Sequence, residues 1–383
     1  MFSQQYAVVG KCAQRDHSAW HGPCFPALMN LRAASILAVL VAAAGCPAPG
    51  VVKPPPDTGR TFFGFDKLAV DQAVTPLWGD ASTGAFVAGG VQGSLQVVKD
   101  VLQVDSSSGT LKTKVVGTMT KARMCNCALF DESRNELLVV GGRDEQFADN
   151  NDAEIVNTAT GENIAIDANG AGDHPIGCQA FFSTSTDKGY IFGGLSSTVG
   201  NFSPDTYRYD PASHTITKID GLVGPPARYD AAIHQLDNGD VLMVSGMGSQ
   251  GLAAKFFQDM WIFDAAHETW SEQKPDAASL LPPGRRYAWT SLAPDESELL
   301  YGFGSDSPTG QHMLGDFWAY DFAAKTWNKQ AVDGLPSARG FSYKWQGPPQ
   351  SAGALAFGID NASTVFADAY VMTPPDDLAG NWH

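Results

Sequence analysis

Glycine recurs at positions 89, 141, 193, 246, 302 and 358, at intervals of 52, 52, 53, 56 and 56 residues. A fixed period of this length is the signature of propellers and solenoids, because one unit cannot bury its apolar face alone. Each glycine closes a short apolar run: 85–88, 137–140, 190–192, 241–244, 299–301 and 354–357. Such runs, bounded by turn residues, predict apolar strands. Three markers are doublets, Gly89-Gly90, Gly141-Gly142 and Gly193-Gly194.

A second marker keeps the same beat. Ten to fourteen residues after each glycine comes an acid and a β-rich run, spanning 100–105, 152–157, 205–210, 259–264, 316–321 and 368–373. Four copies place Thr five residues after the second Asp, at Thr110, Thr215, Thr269 and Thr326, where another strand is predicted to open. An Asp or Asn at a strand end can accept from the backbone of its own turn, which a short antiparallel connection needs.

The glycine doublet, the aspartate-bounded aromatic strand and the Trp270 and Trp327 that follow resemble the kelch repeat, from about Arg60 onward. The resemblance implies an all-β, six-bladed β-propeller with four antiparallel strands per blade, and six units of about 53 residues fill the available chain. Two stacked β-sandwiches would not require one phase across six units. The sequence departs from the family pattern where Met247, Phe303 and Ile359 break glycine pairs, and Trp is kept only twice. The last repeat leaves ten residues after Thr373, so its outer strand is expected from Thr61-Phe62-Phe63-Gly64-Phe65, with Asn381-Trp382 as competing donor.

The leader carries its own signals. Ala33 to Ala44 is an apolar run after Arg32, too short to span a bilayer and suited to a secretory h-region. Ala43-Ala44-Gly45-Cys46 resembles a bacterial lipobox, which implies lipidation of Cys46. Met29 is a better start than Met1, so residues 1–28 are expected to be a mis-assigned upstream stretch. Residues 29–45 then form the signal peptide, 46–58 a Pro-rich tether and 59–383 the propeller. Pro47 directs the expectation to the outer membrane, with the chain held there through its lipid.

Candidate site residues precede the glycine markers. Arg123, Arg228, Arg285, Arg286 and Arg339 lie fifteen to nineteen residues upstream, with Tyr229, Tyr287, Phe341 and Tyr343 beside them. By the kelch resemblance these positions line one mouth of the central channel, where guanidinium groups can meet a carboxylate or other anion. The competing reading is that each arginine ties neighbouring blades together and the aromatics pack between them. Cys125 and Cys127 share a strand face and Cys178 lies near the matching place in the next repeat, so an inter-blade disulfide, a reduced buried set and a metal site all remain open. The acidic loop holding Asp144, Glu145, Asp149 and Asp152 matches no EF-hand spacing and reads as a solvated turn.

With 25 Lys and Arg against 41 Asp and Glu, the chain has a formal charge of −16 and offers no basic footprint for nucleic acid. No nucleophile elbow, Walker loop, dinucleotide fingerprint or paired-histidine metal motif occurs, and no cofactor is expected. The expected function is a monomeric, non-catalytic module binding a protein or an anionic glycan. The alternatives are a carbohydrate-active enzyme of sialidase, sialic acid epimerase or galactose oxidase type, and a structural element of an envelope assembly using the apolar 249–258 loop.

Overall fold

The structure is a computed structural model that describes residues 63–373, apart from 80, 94, 167–175, 197–199, 294–295, 346–350 and 352. The leader, Cys46, the tether, Thr61, Phe62, Asn381 and Trp382 lie outside the described residues.

Among the described residues the regular structure is entirely β, with no helix. Four sheets are four-stranded meanders in chain order. They comprise Cys127–Asp131, Glu136–Val140, Ala153–Asn157 and Asn163–Ile164; Gln179–Ser183, Lys188–Phe192, Thr206–Asp210 and Thr215–Lys218; Ala232–Gln235, Val241–Val244, Met260–Asp264 and Thr269–Glu272; and Trp289–Leu292, Glu298–Gly302, Phe317–Asp321 and Thr326–Lys329. A fifth, eight-stranded sheet runs Tyr343–Trp345, Ala354–Ala356, Ala369–Thr373, Gly64–Val70, Thr110–Thr118, Asp100–Asp105, Phe86–Ala88 and Ala81–Thr83. Its two halves meet through a short parallel contact, Ala69 with Thr110 and Val70 with Leu111. The N-terminal strand Gly64–Val70 pairs antiparallel with Ala369–Thr373, so it supplies the outer strand for the end of the chain.

Strand alternation makes each sheet sticky on both faces. In Glu136–Val140, Leu137 and Val139 pack against Phe86, Ala88 and Val101 of the preceding repeat, whereas Leu138 and Val140 meet Phe182 and Ile191 of the next. Period-two geometry sends successive side chains to opposite faces, so an apolar run here serves two interfaces at once. The same exchange joins the end of the chain to its beginning, where Tyr343, Trp345 and Leu68 pack with Val87, Val104 and Leu111. The arrangement is a β-propeller of four-stranded sheets.

The repeat markers have separate local causes. Asp105, Asn157, Asp210, Asp264 and Asp321, at the ends of third strands, each accept from a backbone N–H two or three residues on and so close the turn. The aspartate at or just before the start of the third strand accepts, through its carbonyl, the N–H of the residue that follows the second strand, as from Gly89 to Asp100 and from Gly141 to Asp152.

The glycine doublet is a left-handed pair whose second member donates to the next repeat. Gly90, Gly194, Gly246 and Gly304 donate to the carbonyls of Arg123, Arg228, Arg285 and Arg339. A Cβ on Gly304, at φ +85°, would lie 2.5 Å from the Arg286 carbonyl oxygen, closer than any side chain allows. This corrects the register of the last three repeats. Ser245-Gly246, Phe303-Gly304 and Phe357-Gly358 are the true pairs, and the first member adopts φ between +57° and +65° without being glycine.

Candidate functional site

In a meander whose inner strand comes first, the first and third connections lie at one end of the sheet. The second connection and the lead-in to the inner strand lie at the other, here called the upper rim. The arginine-bearing segments are lead-ins, so all the candidate arginines start from this rim.

A backbone belt orders them. Gly79, Cys125, Gly177, Asp230, Tyr287 and Phe341 occupy one equivalent position, each at φ between +52° and +63°. Cys125 donates its N–H to Gly79, Gly177 to Cys125, Asp230 to Gly177 and Tyr287 to Asp230, at 2.7 to 3.2 Å. The chain of bonds passes from one lead-in to the next around the centre. Arg123, Arg228, Arg285 and Arg339 sit two residues before it.

These four arginines are directed into their own sheets. Arg285 donates from Nε to Pro283, from Nη1 to the Phe303 carbonyl and from both terminal nitrogens to Asp316, at 2.6 to 3.0 Å. Arg228 repeats this pattern on Pro226, Ser245 and Asp259. Arg339 does so on Ser337, Phe357 and Asp368. Arg123 uses Gly141, Asp152 and Glu154. All four are fully buried. The side chain therefore ties an arginine to its own repeat while its main-chain carbonyl ties it to the preceding one.

The same geometry explains the aromatic residue that follows the aspartate. Trp261, Trp318 and Tyr370 lie two positions after Asp259, Asp316 and Asp368 and donate to those carboxylates at 2.7 to 3.1 Å. Burial pushes the Asp316 and Asp368 carboxyls up, but hydrogen bonds and charge from Arg285 and Arg339 outweigh it and hold both below the ordinary value.

Arg286 is different. It lies one residue past its neighbouring strut, and its guanidinium sits over the rings of Tyr229 and Tyr287 at 4.7 and 4.1 Å. Its Nη1 donates to the Pro308 carbonyl at 3.0 Å and to the Tyr229 hydroxyl. Its Nε stands 3.2 Å from Asp230 Oδ2 without an aligned hydrogen bond, and its Nη2 has no hydrogen-bond partner. Arg143, the residue after Gly141-Gly142, pairs with Asp149 at 3.3 Å, and burial lowers its pKa.

Around this polar knot the centre is apolar. Trp78, Met124, Cys125, Ile176, Leu195, Met247, Met313, Phe341 and Ile359 form one cluster with Tyr229, drawn from every repeat. Phe341 packs on Trp78 and on Tyr287, with ring centroids 5.6 and 3.6 Å apart. Tyr343 is not brought here. It stacks on Trp345 and reaches the Gly84 carbonyl of the first repeat.

Arg143, Asp149 and Asp230 went unnoticed as members of this centre. Asp230 had one sequence signal, since Arg228-Tyr229-Asp230 and Arg285-Arg286-Tyr287 place different residues on the same belt position.

Cys127 and Cys178 form a disulfide that joins the second repeat to the third, with Cα atoms 5.5 Å apart. Cys125 is buried at the belt. Lower in the channel, Gln235, Thr290 and Lys344 each donate to a carbonyl of the preceding repeat's inner strand or its lead-in: Phe182, Ile233 and Ala288. His234, held to about 4 by burial and by Lys344, is neutral at neutral pH.

The apolar 249–258 segment folds as a hairpin, Met247–Gln250 with Ala253–Phe256. Phe257 is buried under the Arg228 guanidinium, 4.0 Å from its ring centroid, while Leu252 projects from the tip with 83% exposure.

Sheet order, closure by the N-terminal strand and repeated arginine–aspartate ties define a kelch-type β-propeller. The family profile described as the KLHDC2/KLHL20/DRC7 Kelch-repeats domain matches residues 77–296, more than half of the 383-residue chain, and the protein belongs to that family. No curated protein matches the chain.

Proposed function

We propose that this chain is a protein-binding module of six blades whose upper rim is the docking face. Kelch propellers commonly bind proteins. The count of six follows from reading the eight-stranded sheet as two blades joined edge to edge.

One observation carries the reading. Among the described residues, the exposed large apolar side chains are Leu95, Phe147, Val223, Leu252, Leu280, Leu281 and Val115, and all but Val115 lie on second connections or lead-ins. Val223 and Leu252 are 85% and 83% exposed. Turns at the opposite end instead present Asp105, Glu132, Glu162, Asp187 and Asp237. Exposed apolar side chains gathered at one end mark an interaction surface, and loops on a stiff scaffold are where recognition resides. The buried arginines act in this reading as the scaffold behind that surface.

The reading extends to the address. The chain is carried on the bacterial outer membrane by lipid at Cys46, and the Pro-rich tether sets the propeller off from the bilayer.

Photo-crosslinking residues introduced at Leu252 and Val223, with Glu132 and Asp237 as controls at the opposite end, test the docking face in cells. Discrete protein adducts from the first pair alone are expected. Adducts from the controls, or retention by anionic glycans with no protein adduct, would overturn it. Cys46→Ser is expected to move the chain from the membrane fraction to the soluble one, and an unchanged distribution would remove the anchor.

A further inference from the structure

We infer that Asp230 is a proton-controlled latch at the centre of the ring, whose charge sets how firmly the 143–150 and 305–313 loops are held at the upper rim. The inference concerns the loops themselves and holds whatever the partner is.

The backbone of Asp230 is pinned on both sides. Asp230 sits at φ +52°, with its N–H bound to Gly177 at 2.8 Å and its carbonyl bound by Tyr287 at 3.2 Å. It occupies space that only a glycine opposite permits, since a Cβ on Gly177 would lie 2.2 Å from Asp230 Oδ1. Its Oδ2 is buried without a hydrogen-bond partner, beside Arg286 Nε at 3.2 Å.

The two arginines acting on this carboxyl each hold a loop. Arg286 exchanges main-chain bonds with Ser305 at 2.8 and 2.9 Å, and its side chain grips the Pro308 carbonyl. Arg143 exchanges main-chain bonds with Met124 and pairs with Asp149, beside which Asn150 donates to Gly142. With Asp230 ionised, the described residues of the knot set two carboxylates, Asp149 and Asp230, against the two guanidinium groups. With Asp230 protonated, one positive charge is left over, and the pull on both arginines weakens.

The surroundings favour titration near neutrality. Burial raises the Asp230 carboxyl to about 7, against the opposing charges of Arg286 and Arg143. Burial also raises the Tyr229 hydroxyl, keeping it neutral as it accepts from Arg286, while Tyr287 contributes its ring over Arg286. Asp149 pairs with Arg143. Asp173 and His174, which precede Gly177, lie outside the described residues.

The test is a carboxyl-carbon NMR titration of the full chain with 13C-labelled aspartate from pH 5 to 9, together with amide exchange of residues 144–149 and 306–312 corrected for its intrinsic pH dependence. One carboxyl is expected to titrate within about one unit of 7, and both loops to become more protected through the same midpoint. Arg286→Gln is expected to move that midpoint upward, because an attracting charge is lost, which also identifies the resonance if Asp230→Asn does not fold. In Asp230→Asn the pH dependence of loop protection is expected to vanish. A carboxyl midpoint below 5, loop protection without pH dependence, or the same dependence in Asp230→Asn would each overturn the latch.

Discussion

Two sets of buried arginines share the upper rim and are solved in opposite ways. Arg228, Arg285 and Arg339 each meet two carbonyls and both oxygens of an aspartate, so every nitrogen is used. Arg286, equally buried, keeps one nitrogen without a partner and another beside a carboxylate that is not aligned with it. The first set recurs because the same strand-and-turn geometry regenerates its partners in successive repeats. The second arises once, where Arg143, Asp230 and Arg286 of different repeats happen to converge. A charge matched by repeated geometry serves the scaffold, while a cluster left partly unsatisfied retains a choice of state.

The comparison breaks most visibly at the ties. Asp316→Ala strands Arg285 in the interior and is expected to cost about 3–5 kcal/mol in chemical denaturation. Replacing both partners by apolar residues, Arg285→Met with Asp316→Leu, is expected to recover most of that loss, since the stranded charge goes with its partner.

The first and third repeats have Leu77 and Pro175 where the other four have the tying arginine, and a disulfide joins the third to the second. Cys127→Ser is therefore expected to cost about 2–5 kcal/mol, by the same measurement under oxidising and reducing conditions.

The central cluster gives a pH effect of opposite sign to an ordinary paired carboxylate. Because the folded value of Asp230 is raised from 3.8 to about 7, its favourable contribution is complete below pH 3.8 and fades as pH rises through 7. Asp230→Asn is expected to flatten thermal stability between pH 5 and 8 and to exceed the parent at pH 8 by about 1–3 kcal/mol. A tie such as Arg285–Asp316 behaves conversely, as the lowered carboxyl loses its contribution when pH falls.

The smallest effect belongs to the same chemistry in water. Arg134 makes a two-pronged contact with Asp187, which is 54% exposed. Asp187→Ala is expected to stay within about 1 kcal/mol of the parent, because solvent already screens the pair and Arg134 keeps Asp131.

The architecture was legible because its causes are local and repeated. The predicted run 241–244 is the strand Val241–Val244, and Thr110, Thr215, Thr269 and Thr326 each open a strand. Gly246 was read one place early in its pair, since Ser245 and Phe357 adopt left-handed backbone that sequence assigns to glycine. The kelch resemblance placed the arginines near the mouth, but which way each would face was not legible. Arg285 and Arg286 are adjacent and identical in type, yet one enters its sheet and the other the centre.

By itself the sequence determined the period, the strands and most turns, because each follows from apolar alternation and backbone hydrogen bonding within a few residues; it pointed to 61–65 as a closing strand, and the structure places that strand at Gly64–Val70. Only the tertiary structure decided that Asp230 stands beside Arg286 and within the field of Arg143, and that the exposed apolar tips gather on one rim. Those relations join residues from different repeats, and the closing of the ring alone sets their distances.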